Sequence, residues 1–366
     1  MAETLTLPGF VDVHVHLREP GDNKSETIQN GSKAAALGGF VLVCDMPNNP
    51  GNPTWSEDRL NEKIDIVYRD GTYADVNFYS GSQPEFDNIA ELEGMAKKSV
   101  GLKLYGAPTT GNLRSYEAHE FEPIVAEWHR VAPQKPILFH AGRDNLDDMV
   151  ELVADKYEHA FHVCHVNDPG QVKLVSDARQ KDLPVTCGVC PHHLIKTSHD
   201  VLSEGEFARM QPPLTHQADS EKLMRQLSDG DIQIIESDYA PHSKEAKWEA
   251  EESGGSCFGV PGIEHIVPLL LRLAIRENQL DLGRLIDAMH TQPLRMLGLK
   301  LPKEVARSTW QLDDYRVEDE KDLASGAGWS PYMGKLLTGR LVEMTTAKRK
   351  VVEAGKLVEN MEPRIE

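Results

Sequence analysis

The stretch Gly9-Phe10-Val11-Asp12-Val13-His14-Val15-His16-Leu17-Arg18-Glu19-Pro20-Gly21 decides how the chain is organised. It begins as a short apolar, β-rich run and ends in polar residues that include two histidines. Seven more runs of this kind follow before residue 240, at intervals of roughly 25–45 residues. They centre on Phe40–Asp45, Val76–Ser80, Gly101–Tyr105, Ile137–His140, His162–Val166, Val185–Val189 and Ile232–Asp238. Most gaps between them have helical character, as in Ser25–Leu37, Trp55–Tyr68, Tyr116–Arg130, Asn145–Lys156, Pro169–Lys181 and Ser220–Leu227. Strands alternating with helices predict parallel βα units, and eight such units predict a closed (β/α)8 barrel of the TIM type over residues 8–300. The rival doubly wound sheet lacks support, because no Gly-x-Gly-x-x-Gly follows the first run.

Beyond the eighth run come two helical stretches, Ile263–Arg276 and Leu282–Met296, and a polar segment, 302–328. Leu336–Met344 and Lys350–Glu359 read as two strands joined by a turn. Residues 1–7 and 331–366 are therefore expected to form a small, reduced β appendage, built mainly by the C-terminal segment.

With 366 residues, 40% of them hydrophobic, the chain can bury the core of one large domain. Its formal net charge of −19 argues against nucleic acid and anionic membrane surfaces as partners, since both need a basic face. An anionic substrate must then be gathered by local cations. No apolar stretch is long enough for a transmembrane helix, and the first residues have neither the basic nor the apolar region of a signal peptide. Five cysteines, few and odd in number, fit free thiols in a reduced, cytoplasmic setting.

The C-terminal strand ends of such a barrel form its active site. Here they carry His14, His16, Lys103, His140, His165 and Asp238. His14 and His16 lie two apart on one strand, so their side chains leave on the same face and can grip one metal. His-x-His alone is a weak signal, more often two ordinary polar side chains than a metal pair, and its position at the end of the first strand strengthens it. Lys103 has a plain reading, a buried stem reaching solvent. Its other reading is carbamylation by carbon dioxide: an ammonium has no lone pair for zinc, whereas a carbamate can bridge two metals. His140 and His165, singly, would be structural histidines; on neighbouring strands at one rim they make a second metal pair. Asp238 could cap a turn, or hold a metal-bound hydroxide and take its proton. His162 points to the opposite side by its odd spacing and reads as structural. Cys187 and Cys190 sit at odd spacing too, on opposite faces, which argues against a structural zinc shared with His192 and His193.

On these residues the chain resembles the amidohydrolase superfamily and, within it, the dihydroorotases. The first strand with His14 to Gly21, the motif Cys44-Asp45-Met46-Pro47-Asn48 and the segment Gly101-Leu102-Lys103-Leu104-Tyr105 match in order. Pro191-His192-His193-Leu194, Gln211-Pro212-Pro213-Leu214, Ser237-Asp238-Tyr239-Ala240-Pro241-His242 and Val260-Pro261-Gly262-Ile263-Glu264 complete the series. The resemblance implies a binuclear zinc site held by His14, His16, Lys103, His140, His165 and Asp238, bridged by carbamylated Lys103 and a hydroxide, with Asp238 as catalytic acid and base. It implies that Arg18, Asn48 and His242 bind the substrate carboxylate, that Gln211 joins the substrate site, and that Thr109 and Thr110 lie on a loop covering it. Arg18 makes physical sense, because its planar fork matches a carboxylate. The departures from the family pattern fall at Gln211, Thr215, Tyr239, Gly188 and Gly142, none of them a metal ligand.

The implied activity is reversible, zinc-dependent cyclisation of N-carbamoyl-L-aspartate to L-dihydroorotate, a step of pyrimidine (UMP) synthesis. The implied assembly is a homodimer that associates with aspartate carbamoyltransferase. Two alternatives stand beside it. An allantoinase or hydantoinase would use the same metal machinery on another ring. A catalytically silent homologue would serve as a scaffold, but such chains lose ligands and this one keeps all six.

Overall fold

Val11, Val13 and Val15 alternate with Asp12, His14 and His16 along one strand, and all six are buried. A strand buried on both faces needs a partner layer on each side. In this computed structural model helices cover the valine side and the barrel interior receives the polar side. The structure describes residues 3–21, 25–108, 115–142, 145–301, 306–347 and 349–358.

The strands in chain order are β1 (Thr4–Pro8), β2 (Phe10–Val15), β3 (Phe40–Asp45), β4 (Asp75–Phe78), β5 (Ser80–Gly81), β6 (Leu102–Tyr105), β7 (Ile137–His140), β8 (Phe161–Val163), β9 (Val185–Val189) and β10 (Ile234–Ile235). Four more follow: β11 (Arg307–Arg316), β12 (Leu336–Thr345), β13 (Lys350–Glu353) and β14 (Lys356–Leu357). Strands β2, β3 and β4 pair in parallel, as do β5 to β10 in sequence order. Tyr79 joins β4 to β5, so the two are one interrupted barrel strand. The barrel closes where Val15 bridges Tyr239, with the His16 amide donating to the Tyr239 carbonyl at 2.7 Å. These are the eight expected βα units, a TIM-type barrel.

Local chemistry starts the helices where the sequence places them. Thr27, Ser56 and Asp168 each turn a side-chain oxygen back to accept from an amide of the first turn, the arrangement that satisfies otherwise orphaned donors. The helices Ile28–Leu37, Glu57–Asp70 and Pro169–Arg179 begin there.

The appendage is an antiparallel sheet of order β1, β11, β12, β13, β14. One expectation changes here. Segment 302–328 is no mere polar connection, because its part Arg307–Arg316 is a long strand lying between β1 and β12. Its polar composition hides it: one edge of the alternation, Ser308 and Trp310, is buried, while much of the rest stays partly exposed. Trp310 anchors this sheet to the barrel. A Cβ at Gly39 would lie 2.4 Å from its ring, so only glycine lets the indole approach.

Candidate metal centre and active site

The strand ends bring the predicted residues to one rim. His14 comes from β2, Lys103 from β6 and His140 from β7; His16 lies just past β2, His165 just past β8 and Asp238 just past β10. All six are buried. Asp238 Oδ1 lies 3.1 Å from His16 Nε2 and 3.4 Å from His14 Nε2, three ligand atoms converging on one point. His140 Nδ1 lies 3.0 Å from His165 Nε2 and forms a second pair. The pairs adjoin: the rings of His14 and His165 are 4.9 Å apart, centre to centre. Lys103 sits among them. Its Nζ donates to Cys164 Sγ at 2.9 Å, and its charge acts on all four histidines and on Asp238.

Three site residues hold an uncommon backbone. Arg18 (φ 65°), His165 (φ 37°) and Asp238 (φ 47°) are left-handed, a conformation non-glycine residues adopt where surrounding structure imposes it, often at functional sites.

Burial sets the protonation states. It lowers the His14 imidazole to about 4, helped by the Lys103 charge, and takes His16, His140 and His165 well below the ordinary histidine range. All four are thus neutral near pH 7, the form that ligates a metal. Burial raises the Asp238 carboxyl against the pull of His14 and Lys103, which suits a group that must both take and return a proton. Burial lowers Arg18, with Asp238 and Asp45 opposing it.

The donor set of His14, His16 and Asp238 fits a metal ion. The nitrogens His16 Nδ1 and His165 Nδ1 are buried with no hydrogen-bond partner among the described residues, and His14 Nδ1 faces Glu236 Oε2 at 3.6 Å, while the opposite nitrogens converge on Asp238 or on each other. Histidines and a carboxylate with neutral imidazoles suit zinc.

Arg18 lies beside this cluster. Its Nη2 is 3.2 Å from His242 Nε2, so the imidazole nitrogen accepts there. Its Nε and Nη1 are buried and have no partner among the described residues. Asn48 is buried beside the His16 side chain. Gln211 is half-buried in a loop where the next carbonyl, that of Pro212, accepts from His193 Nε2 at 3.1 Å. Thr109 and Thr110 lie outside the described residues.

Sequence reasoning passed over several residues that support the site. Asp12, two before His14, accepts from the amides of His14 and Ser237 at 3.1 Å each and so ties the first and last barrel strands together. Asp45 accepts from the Leu17 amide at 2.7 Å and from buried Lys63 at 2.5 Å. Glu236 is buried beside His14 and His162; burial opposes its charge, but those two histidines hold its carboxyl below the ordinary range. Its signal was available, because it stands two before Asp238 as His14 stands two before His16. His162 does not point away from the site as its spacing suggested: one nitrogen lies 2.9 Å from Thr186 Oγ1 and the other faces Glu236, beside His14, at 3.4 Å, because the strand ends at Val163 and the period of two does not carry on to His165. Tyr239 turns out of the cluster: its hydroxyl donates to Glu26 and lies 2.6 Å from Ser325 Oγ. Cys187 and Cys190 do part company. Cys187 Sγ faces the Asp231 carbonyl at 3.8 Å, while Cys190 lies with His192 and His193.

An eight-stranded parallel barrel with histidines, a lysine and an aspartate at the C-terminal rim defines a class of metal-dependent hydrolases, and residues 5–302 match the model of the amidohydrolase family. The chain belongs to that family. It is 32% identical to a dihydroorotase of Staphylococcus epidermidis, over 95% of this chain and 87% of the relative. In fold it is similar to the L-hydantoinase of Arthrobacter aurescens, with a TM-score of 0.85 at 24% identity, covering 98% of this chain and 88% of that one. It is also similar to the inactive dihydroorotase-like domain of a CAD-like multifunctional protein from Chaetomium thermophilum, with a TM-score of 0.80 at 22% identity, covering 99% and 98%. Within the family the chain stands with the dihydroorotases, and it is a cyclic amide hydrolase.

Proposed function

We propose that the chain interconverts L-dihydroorotate and N-carbamoyl-L-aspartate. The observation that carries this is Arg18: a buried guanidinium beside the ligand cluster with two donors unspent among the described residues. Such a fork recognises a planar carboxylate, which dihydroorotate has and the plain hydantoin ring lacks.

His14, His16 and Asp238 would hold one zinc and His140 and His165 the other, with carbamylated Lys103 between them. Zinc bound there lowers the pKa of water and polarises a carbonyl. The protein's own residues do the rest. Arg18, with Asn48 and His242, binds the ring carboxylate and fixes the carbonyl toward the cluster; Gln211, Thr109 and Thr110 join the substrate contacts in this reading. Asp238 takes a proton from the attacking water as its oxygen adds to the ring carbonyl carbon. It then gives that proton to the ring nitrogen as the C–N bond breaks. In reverse the carbamoyl nitrogen attacks the side-chain carboxyl and water leaves. Lys103 must lose its ammonium to ligate, and carbamylation replaces that cation with an anion inside a buried site.

The test is an assay of zinc-loaded protein with dihydroorotate, N-carbamoyl-aspartate, allantoin and hydantoins. The reading predicts turnover of the first pair above the others. Preference for hydantoins would favour the hydantoinase alternative, and no turnover with fewer than one zinc per chain would favour a scaffold. A homodimer and association with aspartate carbamoyltransferase belong to the same reading; sedimentation alone and with that enzyme tests both. We also place the enzyme in the cytoplasm, which fits its free cysteines and the lack of any described helix able to cross a membrane.

A further inference from the structure

We infer that Glu236 is a positioning residue that ties one histidine of each ligand pair to a single carboxylate, and that position 188 is glycine because Glu236 fills the space its side chain would need. The inference rests on the metal-site reading above.

Glu236 follows β10 directly and is buried. Its Oε2 lies 3.6 Å from His14 Nδ1 and 3.4 Å from His162 Nε2. The other nitrogen of His14 faces Asp238 at 3.4 Å, so His14 stands between a ligand carboxylate and a supporting one. A carboxylate behind a ligating imidazole fixes its tautomer and orientation. The second oxygen, Oε1, accepts from the backbone N–H of His165, the residue held at φ 37° and paired with His140. One carboxylate thus braces the side chain of a histidine in the first pair and the backbone of a histidine in the second. His162 in turn is held from behind by Thr186 Oγ1 at 2.9 Å. That gives this buried, non-ligating histidine the task of aligning Glu236.

The neighbouring strand makes room for this. The Glu236 amide donates to the Val189 carbonyl at 3.1 Å, which puts Gly188 alongside. A Cβ at Gly188 would lie 2.7 Å from Glu236 Cδ and from its Oε1, closer than real side chains approach. Gly188 has no positive φ, so this glycine answers to space and not to backbone conformation. Both positions therefore open into one compartment that holds one side chain. A carboxyl carbon sits two bonds beyond the Cβ of a glutamate, which is enough to span the measured gap, so a carboxylate could be delivered from either strand but not from both.

The experiment compares wild type, E236Q, E236A, G188A, the exchange E236A/G188E and the packing control E236A/G188L. Zinc affinity is measured by chelator competition, along with kcat and KM. Loss of a supporting carboxylate typically weakens metal binding roughly 10–100-fold, and that loss is expected for E236A. G188A should lose as much by displacing the carboxylate, and near-isosteric E236Q should lose less. The exchange E236A/G188E should recover zinc affinity to within a few-fold of wild type, while E236A/G188L should not. Wild-type zinc affinity in E236A, or equal recovery in the exchange and the leucine control, would overturn the inference. If wild type itself takes up no zinc, the metal-site reading fails instead, and the two failures are told apart.

Discussion

Removing the Arg18 fork while keeping its bulk, as in Arg18→Met, is the sharpest perturbation of the substrate reading. The guanidinium has two buried donors, Nε and Nη1, without partners among the described residues. Each hydrogen bond to an ionised carboxylate contributes about 1.5–3 kcal/mol. Two such bonds total about 3–6 kcal/mol, and at about 1.4 kcal/mol per decade that is a loss of roughly 10²–10⁴ in kcat/KM. Part of the effect would be general, because Arg18 also donates to His242 at 3.2 Å and its removal takes that donor away. The assay therefore compares dihydroorotate with its methyl ester, which keeps the ring and removes the negative charge. Arg18→Met should lose the full factor on the acid and little on the ester. Arg18→Lys should fall between, because a lysine keeps the charge and lacks the planar fork. Equal losses on acid and ester, with unchanged thermal stability, would refute carboxylate binding by Arg18.

Other outcomes follow from the same geometry. Asp238→Ala should abolish turnover while zinc stays bound through the histidines, measured by metal analysis beside the activity assay; near-normal activity would remove Asp238 from proton transfer. Wild-type protein should carry the added mass of one carbon dioxide on Lys103, seen by native mass spectrometry, and Lys103→Arg should lose it together with tight binding of a second zinc. Metal-free protein should lose stability on acidification between pH 6.5 and about 4. Burial lowers His265 to about 4, so the unfolded chain binds a proton in that window that the folded one does not, and stability rises with pH there. That shift amounts to about 3 kcal/mol, and His265→Gln should make this limb of a plot of Tm against pH less steep, the buried histidines of the site supplying the rest. Trp310→Ala should destabilise by about 3–5 kcal/mol in denaturant melts, since it empties the contact between appendage and barrel.

The barrel and its rim are legible in the chain alone. Eight apolar runs of limited length, each ending in polar residues, announce parallel strands buried on both faces, because hydrophobic patterning is a local property. The period of two along a strand likewise places His14 and His16 on one face, whereas Arg18 lies past the end of β2 and holds a left-handed backbone that no period of two describes. Two features, by contrast, exist only once the chain is packed. The strand Arg307–Arg316 reads as polar, because only one side of it meets the core and its partners, β1 and β12, come from both ends of the chain. Glu236 and Gly188 are ordinary residues taken one at a time, for their meaning lies in a distance of 2.7 Å between positions on adjacent strands. His14 and His16 announce a metal from the strand alone, but what braces them arrives from more than two hundred residues away. Close packing makes such supports matter, and no local pattern records which side chains will share one compartment.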